Sequence, residues 1–265
     1  MCETCGCAAT EQDAATVEVI GRLLAANDHV AAHNRDHFNS HGVVAFNLMS
    51  SPGAGKTALL EATIDALKSD FHIAVIEGDL ETDNDARRIR AHGVPAVQIT
   101  TGSACHLDAQ MVHNALHDLP LTGLDIIFIE NVGNLVCPAG FDLGQHRNVV
   151  LLSVTEGDDK PAKYPVMFRA ADLVLLTKMD LAAVIDDFDP ARAEKAVRDL
   201  ASAAPVIPLA ARKAVNVDAW IAWLRGEIAH IRSSQDTSVK PHEHHHHGHH
   251  EHHHHHRSHE HPAVA

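Results

Sequence analysis

Seven short apolar runs recur along the chain, at 43–49, 73–77, 96–100, 125–130, 149–154, 173–177 and 205–209. Runs this continuous read as strands buried on both faces, because a half-exposed strand would alternate apolar with polar residues. Between most of them, at about 56–68, 83–91, 107–117 and 190–201, apolar residues fall at helical spacing. Strand and helix in alternation predict an α/β fold, a parallel sheet with helices on both faces. Upstream, Val17, Ile20 and Leu24 predict an N-terminal helical extension to about Phe38. Downstream, Val217, Trp220, Ile221, Leu224, Ile228 and Ile231 form an amphipathic stripe, expected to pack on the sheet rather than on a partner. Beyond Arg232 the chain turns polar and low in complexity, which predicts a disordered tail in the absence of metal. The expected division is a segment 1–38, a central domain 39–232 and a tail 233–265.

Composition narrows the function classes. A formal net charge of −14 argues against nucleic acid, whose phosphates demand an excess of Lys and Arg. No stretch reaches the roughly 18 apolar residues of a membrane span, and the start lacks a basic-then-apolar signal region, so a cytoplasmic protein is expected. Three of the five cysteines fall within the first seven residues. In a reducing compartment such thiols read as metal ligands or redox groups rather than bridges.

The stretch "SSPGAGKT" at 50–57 follows a strand and opens a helix, the context a phosphate-binding loop requires. Backbone N–H groups of Gly53, Ala54 and Gly55 can approach phosphate oxygens, and the helix N-terminus adds its positive end. Lys56 would reach the β- and γ-phosphates, and the Thr57 hydroxyl would hold Mg²⁺. Ser50 stands where the motif usually has Gly. Farther on, "LVLLTKMD" places Thr177, Lys178 and Asp180 at a strand end. The Asp180 carboxylate can accept from N1–H and the 2-amino group of guanine, a donor pair that adenine lacks, which favours GTP. Capping of the next helix is the competing reading. "PLAAR" at 208–212 resembles a further guanine-contacting motif. Asp79 and Glu130 sit at strand ends where a parallel sheet presents ligand. Either can hold Mg²⁺ or orient the attacking water; a capping Asp79 and a structural Glu130 are the alternative. Gly133 can offer its N–H to the γ-phosphate, and 79–90 is the expected switch.

Metal chemistry appears in three places. Cys2, Cys5 and Cys7, with the α-amine freed by loss of Met1, can make a four-coordinate site suited to Ni²⁺ in a square plane or Zn²⁺ in a tetrahedron. Cys105, His106 and Cys137 each follow a predicted strand on the nucleotide edge, and read either as a metal site or as isolated buried thiols. A shared site between two subunits would relieve the strain of an adjacent Cys-His pair. The tail holds fourteen histidines between 242 and 261, interrupted by Glu243, Gly248, Glu251 and Arg257, which marks it as native rather than an affinity tag. It reads as a store for Ni²⁺ or Zn²⁺.

Taken together, the terminal C-x-x-C-G-C, "NLMSSPGAGKTALLE", "GDLETDNDA", "CHLD", "ENVGNLVCPA" and "TEGDDKPAKYP" resemble the nickel-incorporation GTPases of NiFe-hydrogenase maturation, the HypB family, over residues 1 to about 231. The resemblance implies a phosphate-loop GTPase of the signal-recognition-particle and nitrogenase-iron-protein class (SIMIBI) that dimerises through its GTP face. It implies delivery of Ni²⁺ to the hydrogenase large-subunit precursor with a small zinc-containing partner of the HypA type. By motif, Cys2, Cys5 and Cys7 would be the terminal nickel site, and Cys105, His106 and Cys137 a nickel or zinc site in the GTPase domain. Lys56, Asp79 and Glu130 would serve catalysis, and Lys160 and Lys163 would reach the nucleotide or a second subunit. A urease-type nickel-insertion GTPase, or a nickel and zinc store with a vestigial nucleotide site, are the rival readings. Thr177, where Asn is more usual, and a histidine tract at the C-terminal end rather than before the GTPase domain, depart from the family's common pattern.

Overall fold

A computed structural model describes residues 11–200 and 202–238, without the side chains of 11–17, 20 and 236–238. Cys2, Cys5, Cys7 and the histidine tract lie outside the described residues. The chain runs α1 (Glu11–His41), β1 (Val44–Ser50), α2 (Lys56–Leu67), β2 (Ile73–Asp79), α3 (Asn84–Ala91), β3 (Ala96–Thr100) and α4 (Ala109–Leu116). It continues through β4 (Ile126–Glu130), β5 (Arg147–Ser153), α5 (Lys160–Lys163), α6 (Pro165–Arg169), β6 (Leu173–Thr177), α7 (Pro190–Asp199), β7 (Val206–Pro208) and α8 (Val217–Ser238). The seven strands form one sheet in the order β3-β2-β4-β1-β5-β6-β7, every pairing parallel.

Alternate residues of each strand feed opposite cores, as the period of two requires. Val44, Phe46, Leu48, Val75 and Phe128 pack with α2, α3 and α8. On the other face Ala45, Ile76 and Ile127 pack with Phe38 of α1 and Val112 and Leu116 of α4, while Val150, Leu152 and Val174 meet α6 and α7. The α8 stripe packs on the sheet as expected, with Trp220 fully buried and its indole N–H donating to Thr63 Oγ1 at 2.8 Å.

Several boundaries differ from the expected ones for identifiable reasons. The helix expected at 107–117 starts at Ala109, because the Asp108 carboxylate caps it by accepting from the Met111 N–H at 2.8 Å. Two short helices, α5 and α6, lie between β5 and β6, each with a proline in its first turn, where the missing N–H costs nothing. The first helix continues past residue 38 to His41, and α8 continues past 232 to Ser238. The second half of α1 is docked on the central domain. Buried Asn34 donates to the carbonyls of Ala109 (2.8 Å) and Leu143 (3.1 Å), and Arg35 pairs with Asp142 at 2.8 Å. No described helix is long and apolar enough to cross a membrane.

His146 joins α1, β1 and β5. Its Nδ1 accepts from the Ala45 N–H at 3.0 Å and its Nε2 donates to Asn39 Oδ1 at 3.0 Å, so the ring is neutral. Burial, with Arg35 and Arg147 nearby, lowers its pKa to about 4. Because the folded value lies below the unfolded one, this stabilisation is complete above about 6.5 and is lost as pH falls towards 4, up to about 3 kcal/mol. The urea midpoint of the protein relative to that of His146→Asn should therefore decline from pH 7 to 4.

Candidate functional site

Because every strand is parallel, every strand ends at the same edge of the sheet, and the chain crosses to helices there. β1 ends at Ser50 and the chain turns through Gly53 (φ 74°) and Gly55 (φ 102°, ψ 25°), where a side-chain-bearing residue would be strained. α2 begins at once with Lys56 and Thr57, both buried. The Lys56 ammonium donates to Ser50 Oγ at 3.0 Å and lies 3.9 Å from Glu130 Oε1. Ser50 thus fills the usual glycine position with a hydroxyl that faces the lysine. The Thr57 hydroxyl donates to the same Glu130 oxygen at 3.1 Å.

These residues line a cavity of about 850 Å³, which also receives Lys178 and Asp180 after β6 and Arg212 and Lys213 after β7. Lys178 sits in the left-handed region (φ 57°, ψ 35°), uncommon for a residue with a side chain and concentrated at functional sites. Thr177 does not face the cavity alone: its hydroxyl donates to the Ala54 carbonyl at 2.7 Å and ties β6 to the phosphate loop. Gly133 is placed against the loop, where a Cβ would lie 2.8 Å from Pro52 Cα, so the segment leaving β4 can approach only with glycine there. Lys160 and Lys163 do not line the cavity; Lys163 pairs with Asp159 at 2.5 Å and Lys160 lies over the Tyr164 ring.

Register brings in a carboxylate that the sequence reading missed. Glu77 pairs directly across β2–β4 with Glu130, and the two side chains are 2 % and 6 % exposed. Glu77 Oε1 and Glu130 Oε2 have no hydrogen-bond partner among the described residues. Burial, and for Glu77 its neighbour Glu130, push both carboxyls up, Glu77 well above the usual range. Two buried carboxyls with unsatisfied oxygens beside a threonine hydroxyl fit a hard divalent cation such as Mg²⁺. Asp79 also lines the cavity, but it accepts from the Leu80 N–H and the Thr82 hydroxyl, each at 2.7 Å, and shapes the start of 79–90. The N-cap of α3 is Asp83, not Asp79.

Cys105 and His106 lie in the loop before α4, and Cys137 in the segment after β4. Their ligating atoms all fall within 4.8 Å of one another in a single chain. The two sulfur atoms are 2.8 Å apart and Cys105 Sγ is 3.6 Å from His106 Nδ1. The His106 ring stacks on Phe141 at 3.9 Å, and burial lowers its pKa, so it presents a neutral imidazole. The Cys137 thiol is pushed up, first by its contact with Cys105 and then by burial, so ionising it needs a cation. Two sulfurs and an imidazole suit Ni²⁺ or Zn²⁺ and leave one position open. The backbone turns enough between adjacent Cys105 and His106 to bring their ligating atoms to 3.6 Å.

Asn131 connects the two sites, and the sequence reading did not single it out. It lines the nucleotide cavity next to Glu130, and its buried Oδ1 accepts from the N–H of Leu107, the neighbour of His106, at 3.1 Å. Farther along, Asn134 Oδ1 accepts from the N–H groups of Val136 (2.7 Å) and Cys137 (3.3 Å).

A profile described as "CobW/HypB/UreG, nucleotide-binding domain" matches residues 44–208. Over 223 residues the chain is 50 % identical to the hydrogenase maturation factor HypB of Azotobacter chroococcum, covering 83 % of this chain and 72 % of that protein. The crystal structure of HypB from Helicobacter pylori in complex with nickel is 41 % identical, with a TM-score of 0.74 over 78 % of this chain and 96 % of that one. HypB from Archaeoglobus fulgidus is 38 % identical, with a TM-score of 0.72 over 77 % and 100 % of the two chains.

The carboxyl pair has a measurable consequence. A group whose folded pKa lies above its unfolded value stabilises most at low pH, and that contribution is lost as pH rises through the folded pKa. The carboxyl pair's contribution to the stability of the nucleotide-free, Mg²⁺-free protein should fall as pH rises from about 4.5, read as the difference in urea midpoint from Glu77→Gln. Glu77→Gln, which cannot ionise, should raise the urea midpoint at neutral pH.

Proposed function

The chain belongs to the CobW/HypB/UreG family and within it to the HypB hydrogenase maturation factors, and from this premise we propose that it is a GTP-hydrolysing nickel chaperone of hydrogenase maturation. The observation that carries the reading is that one segment, residues 130–137, lines the nucleotide cavity from Glu130 to Gly133 and ends at Cys137, whose sulfur lies within 4.8 Å of the ligating atoms of Cys105 and His106. Bound phosphates would be met by the N–H groups of Gly53, Ala54 and Gly55 and by Lys56, and the guanine edge by Asp180 under the stem of Lys178.

Thr57, with Glu130, Glu77 or Asp79, would hold Mg²⁺, which neutralises charge developing on the β- and γ-phosphates. Lys56 would stabilise the same charge. Glu130 stands close enough to both groups to orient them. No covalent step by the protein is needed, so positioning and charge account for the catalysis, and intrinsic turnover is slow.

Nickel is the cargo. Cys105, His106 and Cys137 would hold Ni²⁺ or Zn²⁺, and Cys2, Cys5 and Cys7 would be the terminal site that loads it. Contacts from the γ-phosphate to the segment around Gly133 would shift Asn131, and with it His106, so that hydrolysis makes release directional. A homodimer closed over GTP, a zinc-containing HypA-type partner and the hydrogenase large-subunit precursor complete the proposed cycle.

Lys56→Ala removes the buried ammonium from the phosphates. It should lower GTP hydrolysis at least about 100-fold, measured as phosphate release, while nucleotide-free nickel binding is retained. Undiminished turnover in this variant would overturn the phosphate assignment.

A further inference from the structure

Away from both sites, six histidines occupy two neighbouring helices. His29, His33, His37 and His41 follow at intervals of four along α1, and four residues separate His113 on α4, which packs beside it, from His117 at the C-cap of α4. Residues four apart share a helix face, so each helix turns a row of imidazoles outward. The rows meet. Ring centres of His33 and His37 are 4.5 Å apart, those of His33 and His113 5.1 Å, and those of His37 and His113 5.9 Å. His117 lies 5.0 Å from His113 and His41 6.3 Å from His37.

We propose that this α1–α4 cluster is a further binding site for a borderline divalent cation such as Ni²⁺ or Zn²⁺, with His33, His37 and His113 as its central ligands. Three imidazoles on one ion, each nitrogen about 2.1 Å away, place ring centres about 4.5–5.3 Å apart. The observed spacings are close to that. The ligating nitrogens of this set do not yet converge, unlike the sulfur and nitrogen atoms of Cys105, His106 and Cys137. Binding would bring them together by rotation of the rings.

One of the three central rings, His113, and the neighbouring His41 are already held with one ring nitrogen free. Asn34 donates through Nδ2 to two carbonyls, so its Oδ1 must accept, and His113 Nδ1 carries the proton of their 3.1 Å contact. His41 Nδ1 likewise faces the His37 carbonyl at 2.9 Å. In each, Nε2 keeps its lone pair, the arrangement by which a carbonyl or amide oxygen behind a histidine orients it for metal. Burial and the crowding of neighbouring imidazoles lower the pKa of His37 and His113, which opposes their protonation, and Asp36 is the acid that acts on His37 in the other direction. An ion bound here would join α1 to α4. The chain distance from His113 back to His106 is at most about 17 Å, so the cation would be held near the cysteine set.

The test uses the full chain and reads each histidine separately. Carbethoxylation by diethyl pyrocarbonate, mapped by peptide mass spectrometry, is followed with and without Ni²⁺. The modification rates of His33, His37 and His113 should fall together by about tenfold, because the attacked lone pair is on the metal. His37→Gln, at a half-exposed position, should restore the reactivity of His33 and His113 in the presence of Ni²⁺, whereas Cys105→Ser with Cys137→Ser should leave their protection intact. His33→Gln, at an exposed position, provides a second variant with the same expectation for His37 and His113. Rates at these three rings that ignore Ni²⁺ while His106 becomes protected, or protection that survives both glutamine variants, would overturn the proposal.

Discussion

The parallel pairing of β2, β4 and β1 is the constraint on which the rest of the molecule depends. It sends every strand end to one edge and sets Glu77 opposite Glu130, which in turn pairs with Leu48, two positions before β1 ends at Ser50 and enters the loop that leads to Lys56. A slip of one residue in β2 would turn the Glu77 side chain to the other face. In the present register one ammonium and two carboxyls are buried within a few ångströms, and their charges are not balanced by hydrogen bonds alone. Buried charge of this kind destabilises the free protein unless it is paired or protonated. A phosphate group and a divalent cation would satisfy both signs at once.

The same edge explains how two chemistries can be connected without a long-range rearrangement. β4 delivers Glu130 to the nucleotide cavity, Asn131 reaches across to the backbone beside His106, Gly133 rests on the phosphate loop at Pro52, and Cys137 closes the metal set. Each contact is local and made by a rigid neighbour. A displacement at Gly133 would therefore act on both ends of the eight-residue segment 130–137, whose interior is held by the side chains of Asn131 and Asn134. Coupling of this type needs two arrangements of a packed segment, not a chain of intermediate residues.

Much of this was legible in the sequence because local chemistry dictates it. Continuous apolar runs separated by helical spacing specify a buried parallel sheet, and the glycines of "SSPGAGKT" specify the loop that follows its first strand. The family follows from the motifs, and the matched relatives bear it out. What escaped were features created by register or by packing between distant segments. Glu77 is an ordinary acid near a strand end until β4 lies beside it. Asn131 is one polar residue in a loop until Leu107 arrives. The histidines of α1 carry a visible interval of four, but only the docking of α4 shows that His113 completes a cluster. Boundaries at residues 38 and 232 also fell inside helices, since tertiary packing carries both helices past the point where the apolar stripe ends.

The central claim is that the phosphate state at the loop alters the metal centre at the adjacent segment. It is tested most directly by replacing Cys2, Cys5 and Cys7 with Ser, so that only Cys105 and Cys137 give thiolate-to-nickel absorption, and titrating Ni²⁺ with a non-hydrolysable GTP analogue, with GDP and with no nucleotide. Affinities that differ between the triphosphate and diphosphate states by about 5- to 150-fold are predicted, the usual range for coupling between two sites. Three superimposable titrations would contradict the account.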